Sequence, residues 1–124
     1  MSTPTSPAGG VGWYVYGVVP AESAEALSDL PATVIADDRL GAIVGEVALD
    51  DFTDEKLEQN LRDEGWLEEH ARRHDAVLEA ALARAPVLPF RFGTVYHERD
   101  RVLELLEAQR ERLESGLGRV RGRV

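Results

Sequence analysis

Apolar positions along the chain follow two periods, and the switches between them mark out the elements. Residues 13–19, Trp13-Tyr14-Val15-Tyr16-Gly17-Val18-Val19, are dense in aromatic and β-branched side chains and predict a strand closed by Pro20. Val34-Ile35 and Ala42 to Leu49 predict two more strands. Between them Asp37-Asp38-Arg39-Leu40-Gly41 supplies the turn chemistry of an antiparallel hairpin. Leu88, Phe90 and Phe92 alternate within Ala85–Thr94, which predicts a fourth strand with one apolar face. Pro86 and Pro89 remove two backbone donors from it, which suits an edge position.

The helical period takes over elsewhere. Ala21 to Leu27 predicts a short helix ahead of Pro31. Thr53 is a candidate N-cap whose capping-box position holds Lys56, while Asp54 and Glu55 complement the helix dipole. Leu57 and Leu61 share a face of that helix, which runs through Asp63 until Gly65 breaks or bends it. Trp66, His70, His74, Val77, Leu78, Ala81 and Leu82 then form the stripe of a second helix. Val102, Leu106, Gln109, Leu113 and Leu117 form the stripe of a last one, expected to end near Gly116 and Gly118.

The order is βαββαβ with an additional C-terminal amphipathic helix, an α+β chain of ferredoxin-like plan. Residues 1–10 lack apolar periodicity and are expected to be a flexible leader, leaving 11–124 as a single domain. The first strand places Trp13, Val15 and Val19 on one side and Tyr14, Tyr16 and Val18 on the other, so both its faces are apolar. A sheet covered by helices on one side alone would leave one of them bare. The second face is therefore expected to be covered by the C-terminal helix, by a further domain or by a partner.

Charge narrows the partners. The net charge is −9, and residues 1–52 hold eight acids against one Arg, whereas residues 87–124 hold eight Arg against six acids. An acidic chain of this kind is a poor fit to nucleic acid, whose phosphates demand a basic surface. No stretch reaches the length of a membrane span, and the N-terminus lacks the basic start and apolar core of a signal peptide. Without cysteine there is neither disulfide nor thiolate site, and a cytoplasmic location is expected by elimination.

Four pieces together resemble the gas vesicle protein F/L family: Trp13–Val19; Leu40–Val47; Leu57-Glu58-Gln59-Asn60-Leu61 with Trp66-Leu67-Glu68-Glu69-His70-Ala71; and Ala85–Thr94. The resemblance covers roughly residues 12–118 and corresponds to the N-terminal domain of a family that usually carries a second α+β domain. The chain stops at Gly122-Arg123-Val124, where that family begins another strand, so an excised domain and a shortened relative are both open. The resemblance implies a minor, non-enzymatic component of gas vesicle assembly, associated with the hydrophobic shell protein and with other accessory proteins, located in the cytoplasm and at the gas vesicle. It implies neither nucleic-acid nor membrane binding.

The residues add little chemistry of their own. His70 and His74 have the spacing of two metal ligands, but the run Glu68-Glu69-His70-Ala71-Arg72-Arg73-His74 lacks the zincin glutamate and carries two cations, and His97 completes no motif. Asp37-Asp38 and Asp50-Asp51 sit where Asp serves turns and caps. No nucleophile elbow, phosphate loop or cofactor signature is present, so no catalytic, metal or cofactor residue is assigned. Arg91 interrupts an uncharged run and is expected either to pair with an acid of the adjacent helices or to border a partner. Tyr14, Tyr16, Phe90, Arg91 and Phe92 are the candidate partner-contact residues. A small-molecule-binding regulatory domain of the same plan is the alternative function, and a metal-dependent enzyme the third.

Overall fold

The computed structural model describes residues 10–121; the leader expected at the N-terminus lies outside the described residues apart from Gly10. Strand β1 spans Val11–Pro20, and two 3-10 turns, Ala21–Ser23 and Glu25–Leu27, stand where the sequence predicts one short helix. Strands β2 (Thr33–Ala36) and β3 (Leu40–Ala48) form the predicted hairpin. Helix α1 (Asp54–Leu61) and helix α2 (Glu64–Leu82) follow, then β4 (Leu88–Pro89), β5 (Val95–Tyr96), α3 (Arg99–Ala108) and α4 (Arg110–Arg121). The sheet runs β2-β3-β1-β4, with β5 also on β1, and every pairing is antiparallel. The α+β class therefore stands. No helix among the described residues is long and apolar enough to cross a membrane.

Local chemistry sets most of the boundaries. Asp37 Oδ1 accepts from the backbone N–H of Arg39 and of Leu40, both at 2.8 Å, which is the turn role expected of it. Thr53 Oγ1 accepts from the N–H of Lys56 at 3.2 Å and starts α1. The break between α1 and α2 falls at Arg62 and Asp63, where the Asp63 carboxylate caps α2 through the N–H of Trp66. Gly65 does not make the break expected of it; it lies inside the first turn of α2.

Both sheet faces are buried within the chain. Val15, Val18, Ala42 and Val44 pack with Val102, Leu106, Leu113 and Leu117 of α3 and α4. Tyr14, Tyr16, Val19 and Ile43 pack on the other side with Val77 and Ala81 of α2 and with Leu27 and Leu30. The two sides of β1 differ from the expectation after Tyr16: Val18 joins Val15, and Val19 joins the tyrosines. A bulge causes this. Val15 pairs with Val44 and Gly17 with Ile43, so Tyr16 is an extra residue and the alternation slips by one. The face carrying the tyrosines is covered by α2, not by the C-terminal helix.

The last expected helix is two. Gln109 leaves helical geometry at φ −107° and ψ 16°, so α3 lies over β2 and β3 while α4 lies over β1 and β4. Gly116 does not end α4, which continues to Arg121. A Cβ there would stand 2.9 Å from Leu88 Cδ2, so glycine lets α4 approach β4 closely.

Two glycines give opposite expectations. At Gly17 a Cβ would meet the Leu88 carbonyl oxygen and Val87 Cγ1, each at 2.9 Å, and backbone cannot swing aside. Gly17→Ala should cost about 1–3 kcal/mol of unfolding free energy. Gly118 lies within α4, and a Cβ added to it would meet nothing within 4 Å among the described residues. Gly118→Ala should therefore stabilise by about 0.5–1 kcal/mol through helix propensity. Urea denaturation of the two variants checks both signs.

Candidate partner-contact surface

The stretch expected to be one strand is a broken edge strand. Leu88 and Pro89 pair with Val18 and Gly17, and Val95 and Tyr96 pair with Tyr14 and Trp13. Between them the Phe90 N–H donates to the Tyr16 carbonyl and the Val15 N–H donates to the Thr94 carbonyl, each at 2.9 Å. Neighbouring residues of β1 thus hold positions 90 and 94, and residues 91–93 are pushed out as a turn. Thr94 closes it, its N–H at 3.3 Å and its hydroxyl at 2.9 Å from the Arg91 carbonyl. Gly93 sits in the turn at φ +90°, a conformation other residues adopt only with strain. The Phe-Gly-Thr sequence is the one local signal for this turn.

The turn redistributes the five candidate residues. Leu88 and Phe90 pack toward α3 and α4, whereas Phe92 packs toward α2, so the expected common face of the three apolar residues is split. Arg91 is exposed at the apex and makes no ion pair among the described residues. The expectation that it pairs with an acid of the adjacent helices is thereby corrected: the turn aims it at solvent. Tyr14 and Tyr16 are 3% and 5% exposed and belong to the core beneath the turn.

Beneath the turn lies an aromatic cluster that one sequence cannot reveal, because its members come from distant segments. His74 on α2 is 8% exposed and meets Tyr14 of β1, with Nδ1 2.8 Å from the Tyr14 hydroxyl. That hydroxyl also accepts from the Gly93 N–H at 3.1 Å. The hydroxyl thus joins the turn backbone to the imidazole, and the ring tautomer sets which partner of the Tyr14–His74 bond donates. Phe92 stands edge-on to both rings, at 6.1 Å from Tyr14 and 5.9 Å from His74. His70 stacks on Trp66 at 4.1 Å, and its Nδ1 lies 2.9 Å from the Trp66 carbonyl. Both histidines are thus engaged in packing and hydrogen bonding, and among the described residues no group of three or more potential ligands is placed to hold a metal.

Electrostatics follow from burial. Removal from water pushes the Tyr14 hydroxyl up to about 12; the Gly93 N–H acts against this, while Tyr16 and Asp75 add to it. Burial likewise raises Tyr16, with Arg73 opposing. Burial lowers His74, with Asp75 and the Phe90 backbone acting to raise it. Tyr14, His74 and Gly93 form a clamp that holds the turn to the core. Nothing in it resembles a nucleophile with a base and an open substrate position.

The family described as gas vesicle synthesis protein GvpL/GvpF matches residues 12–124. Gas vesicle protein L of Streptomyces sp. strain CB03234 is 36% identical over 108 residues, which is 87% of this chain and 40% of that protein. The chain thus spans less than half the length of the curated relative it matches. No solved structure gives a comparable match.

The clamp predicts a stability profile with two limbs. The folded His74 resists protonation, so below pH about 6.5 the unfolded chain binds the proton more readily and stability falls as pH falls. Between pH 10 and about 12 the unfolded chain ionises Tyr14 while the folded one does not, so stability falls as pH rises, by on the order of 2–3 kcal/mol. Tyr14→Phe leaves the Gly93 N–H and His74 Nδ1 unpaired, and should cost about 1–3 kcal/mol at pH 7 and shrink the alkaline limb. Denaturant titrations of both proteins from pH 5 to 12 measure these changes.

Proposed function

Because the chain belongs to the gas vesicle synthesis protein GvpL/GvpF family, we propose that it acts in gas vesicle formation as a non-enzymatic component that binds the hydrophobic shell protein and other gas vesicle accessory proteins. The observation that carries this reading is the turn at Phe90, Arg91 and Phe92. It presents a cation flanked by two half-buried aromatic rings at the sheet edge, and a buried clamp holds it in place. A rigid, partly apolar projection costs little entropy to immobilise and so suits recognition of another protein. A very apolar shell subunit needs a partner that covers its surface before it polymerises, in the cytoplasm beside the growing vesicle. Tyr14 and Tyr16 serve this surface from beneath, as supports of the turn, while Phe90, Arg91 and Phe92 make the contact.

The fold reading follows the same lines. The antiparallel order β2-β3-β1-β4 supports a ferredoxin-like plan in which the first helix is reduced to 3-10 turns. The pair α3–α4 is added on the second sheet face.

Replacing the exposed apex tests the reading without disturbing the core. Arg91→Glu should leave the melting temperature within about 1 °C of the parent, as expected of a surface change with no ion pair to lose. It should weaken capture of the shell protein in co-expression and lower vesicle yield when it replaces the parent in a gas vesicle gene cluster. Normal capture and normal yield with the variant would remove Arg91 from the contact.

A further inference from the structure

A groove of about 410 Å³ runs between β4 and the two C-terminal helices. Its apolar lining comes from Leu88, Phe90, Leu105 and Leu113, and among the described residues its charged lining is Arg112 and Arg119. In a chain of net charge −9 this is a locally cationic patch. Both guanidinium groups lack a carboxylate partner among the described residues; Arg112 has only the Gln109 side-chain oxygen, at 3.3 Å. Two other arginines of these helices are paired, Arg101 with Glu104 and Arg110 with Asp37 and Asp38. We propose that this groove seats an acidic amphipathic helix of a partner protein.

Three features select that occupant. The first is charge: unpaired arginines on the rim of an apolar floor complement carboxylates that flank an apolar stripe. The second is spacing. Arg112 and Arg119 stand seven residues apart on α4, about 10 Å along its axis, which matches carboxylates two turns apart on a helix lying alongside. The third is what the edge cannot offer. β4 is two residues long and one of them, Pro89, has no N–H, so an incoming strand finds almost no ladder to extend. Gly116 contributes by letting Leu88 lie close against α4, so the floor is formed by side chains in contact. Phe90 also begins the turn described above, which makes the groove and the turn one continuous surface. The proposal rests on the reading that the chain works by binding other proteins.

Two synthetic peptides test it on the 124-residue chain. Each is a helix of about 16 residues with a leucine stripe, long enough to span the groove. One carries two glutamates seven residues apart beside the stripe, and the other carries lysines at those positions. Fluorescence anisotropy should show saturable binding of the glutamate peptide, weakening with added salt, and at least about ten-fold weaker binding of the lysine peptide. A chain with Arg112→Gln and Arg119→Gln should bind the glutamate peptide at least about ten-fold more weakly, with an unchanged circular dichroism spectrum because both side chains are exposed. The proposal is overturned by absence of binding, by equal binding of the two peptides, or by an unchanged affinity in the double variant. Sedimentation showing that a second copy occupies the groove, through self-association abolished by Leu105→Asp, would also overturn it. The lysine peptide keeps the test decisive should the variant misfold. Peptide binding is measured without vesicles, so failure of the groove and failure of the assembly role give different results.

Discussion

The structure turns on one constraint: β1 carries large apolar side chains on both faces. Burying such a side chain contributes roughly 1.5–3 kcal/mol, so a strand with Tyr14, Tyr16 and Val19 on one side and Trp13, Val15 and Val18 on the other has to lie inside, with cover above and below. It therefore occupies an inner position, with β3 on one edge and the broken pair β4 and β5 on the other. α2 covers one face and α3 with α4 the other. The bulge at Tyr16 serves the same requirement. It keeps both tyrosines under α2 and sends Val18 to the opposite core, where Leu106 and Leu113 need it.

Covering both faces has a consequence for the edge. β1 offers a long row of backbone groups, but only the ends of the chain segment 88–96 pair with it, and the middle is pushed out as a turn. A turn projecting from a sheet edge also blocks edge-to-edge pairing with another chain. It would be floppy without a second attachment, and the Tyr14 hydroxyl supplies that by accepting from the Gly93 N–H while engaging His74. A buried polar pair of this sort contributes specificity of arrangement, because leaving any one member unpaired costs more than the bond is worth when made.

Much of this is legible in the residues. The hairpin turn, the Thr53 cap, the stripe of α2 as far as Ala81 and the two-faced character of β1 all follow from local chemistry or period, and the structure holds each of them. Leu82, expected at the end of that stripe, is instead exposed at the C-terminal end of α2. What escapes depends on contacts between distant segments. The strand slip at Tyr16 has only Gly17 as a sign, and the reason for that glycine is the Leu88 carbonyl, far along the chain. The clamp joins Tyr14 to His74 across 60 positions, and nothing near either residue announces it. The break at Gln109 carries neither glycine nor proline; it arises because two pairs of strands at different sides of one twisted sheet each require a helix overhead. The four pieces that resemble the gas vesicle family lie along this frame, and the family match covers the same span.

Where the frame is complete, recognition has to come from its margins. A sheet with a free apolar face would offer a partner that face, and the expectation from β1 points there. Once α2, α3 and α4 have taken both faces, what remains for a partner is the sheet edge and the outer sides of the helices. At the β4 edge these meet: an exposed arginine at the apex of the turn, an apolar floor running from Phe90 to Leu105, and two arginines along α4 without a carboxylate partner among the described residues. The acidic bulk of the chain sharpens the contrast, since the acidic partner proposed for the groove would be repelled by most of the surface and attracted at this margin. Orientation of an encounter then follows from charge, while the turn and the floor, held by the core beneath them, supply the shape.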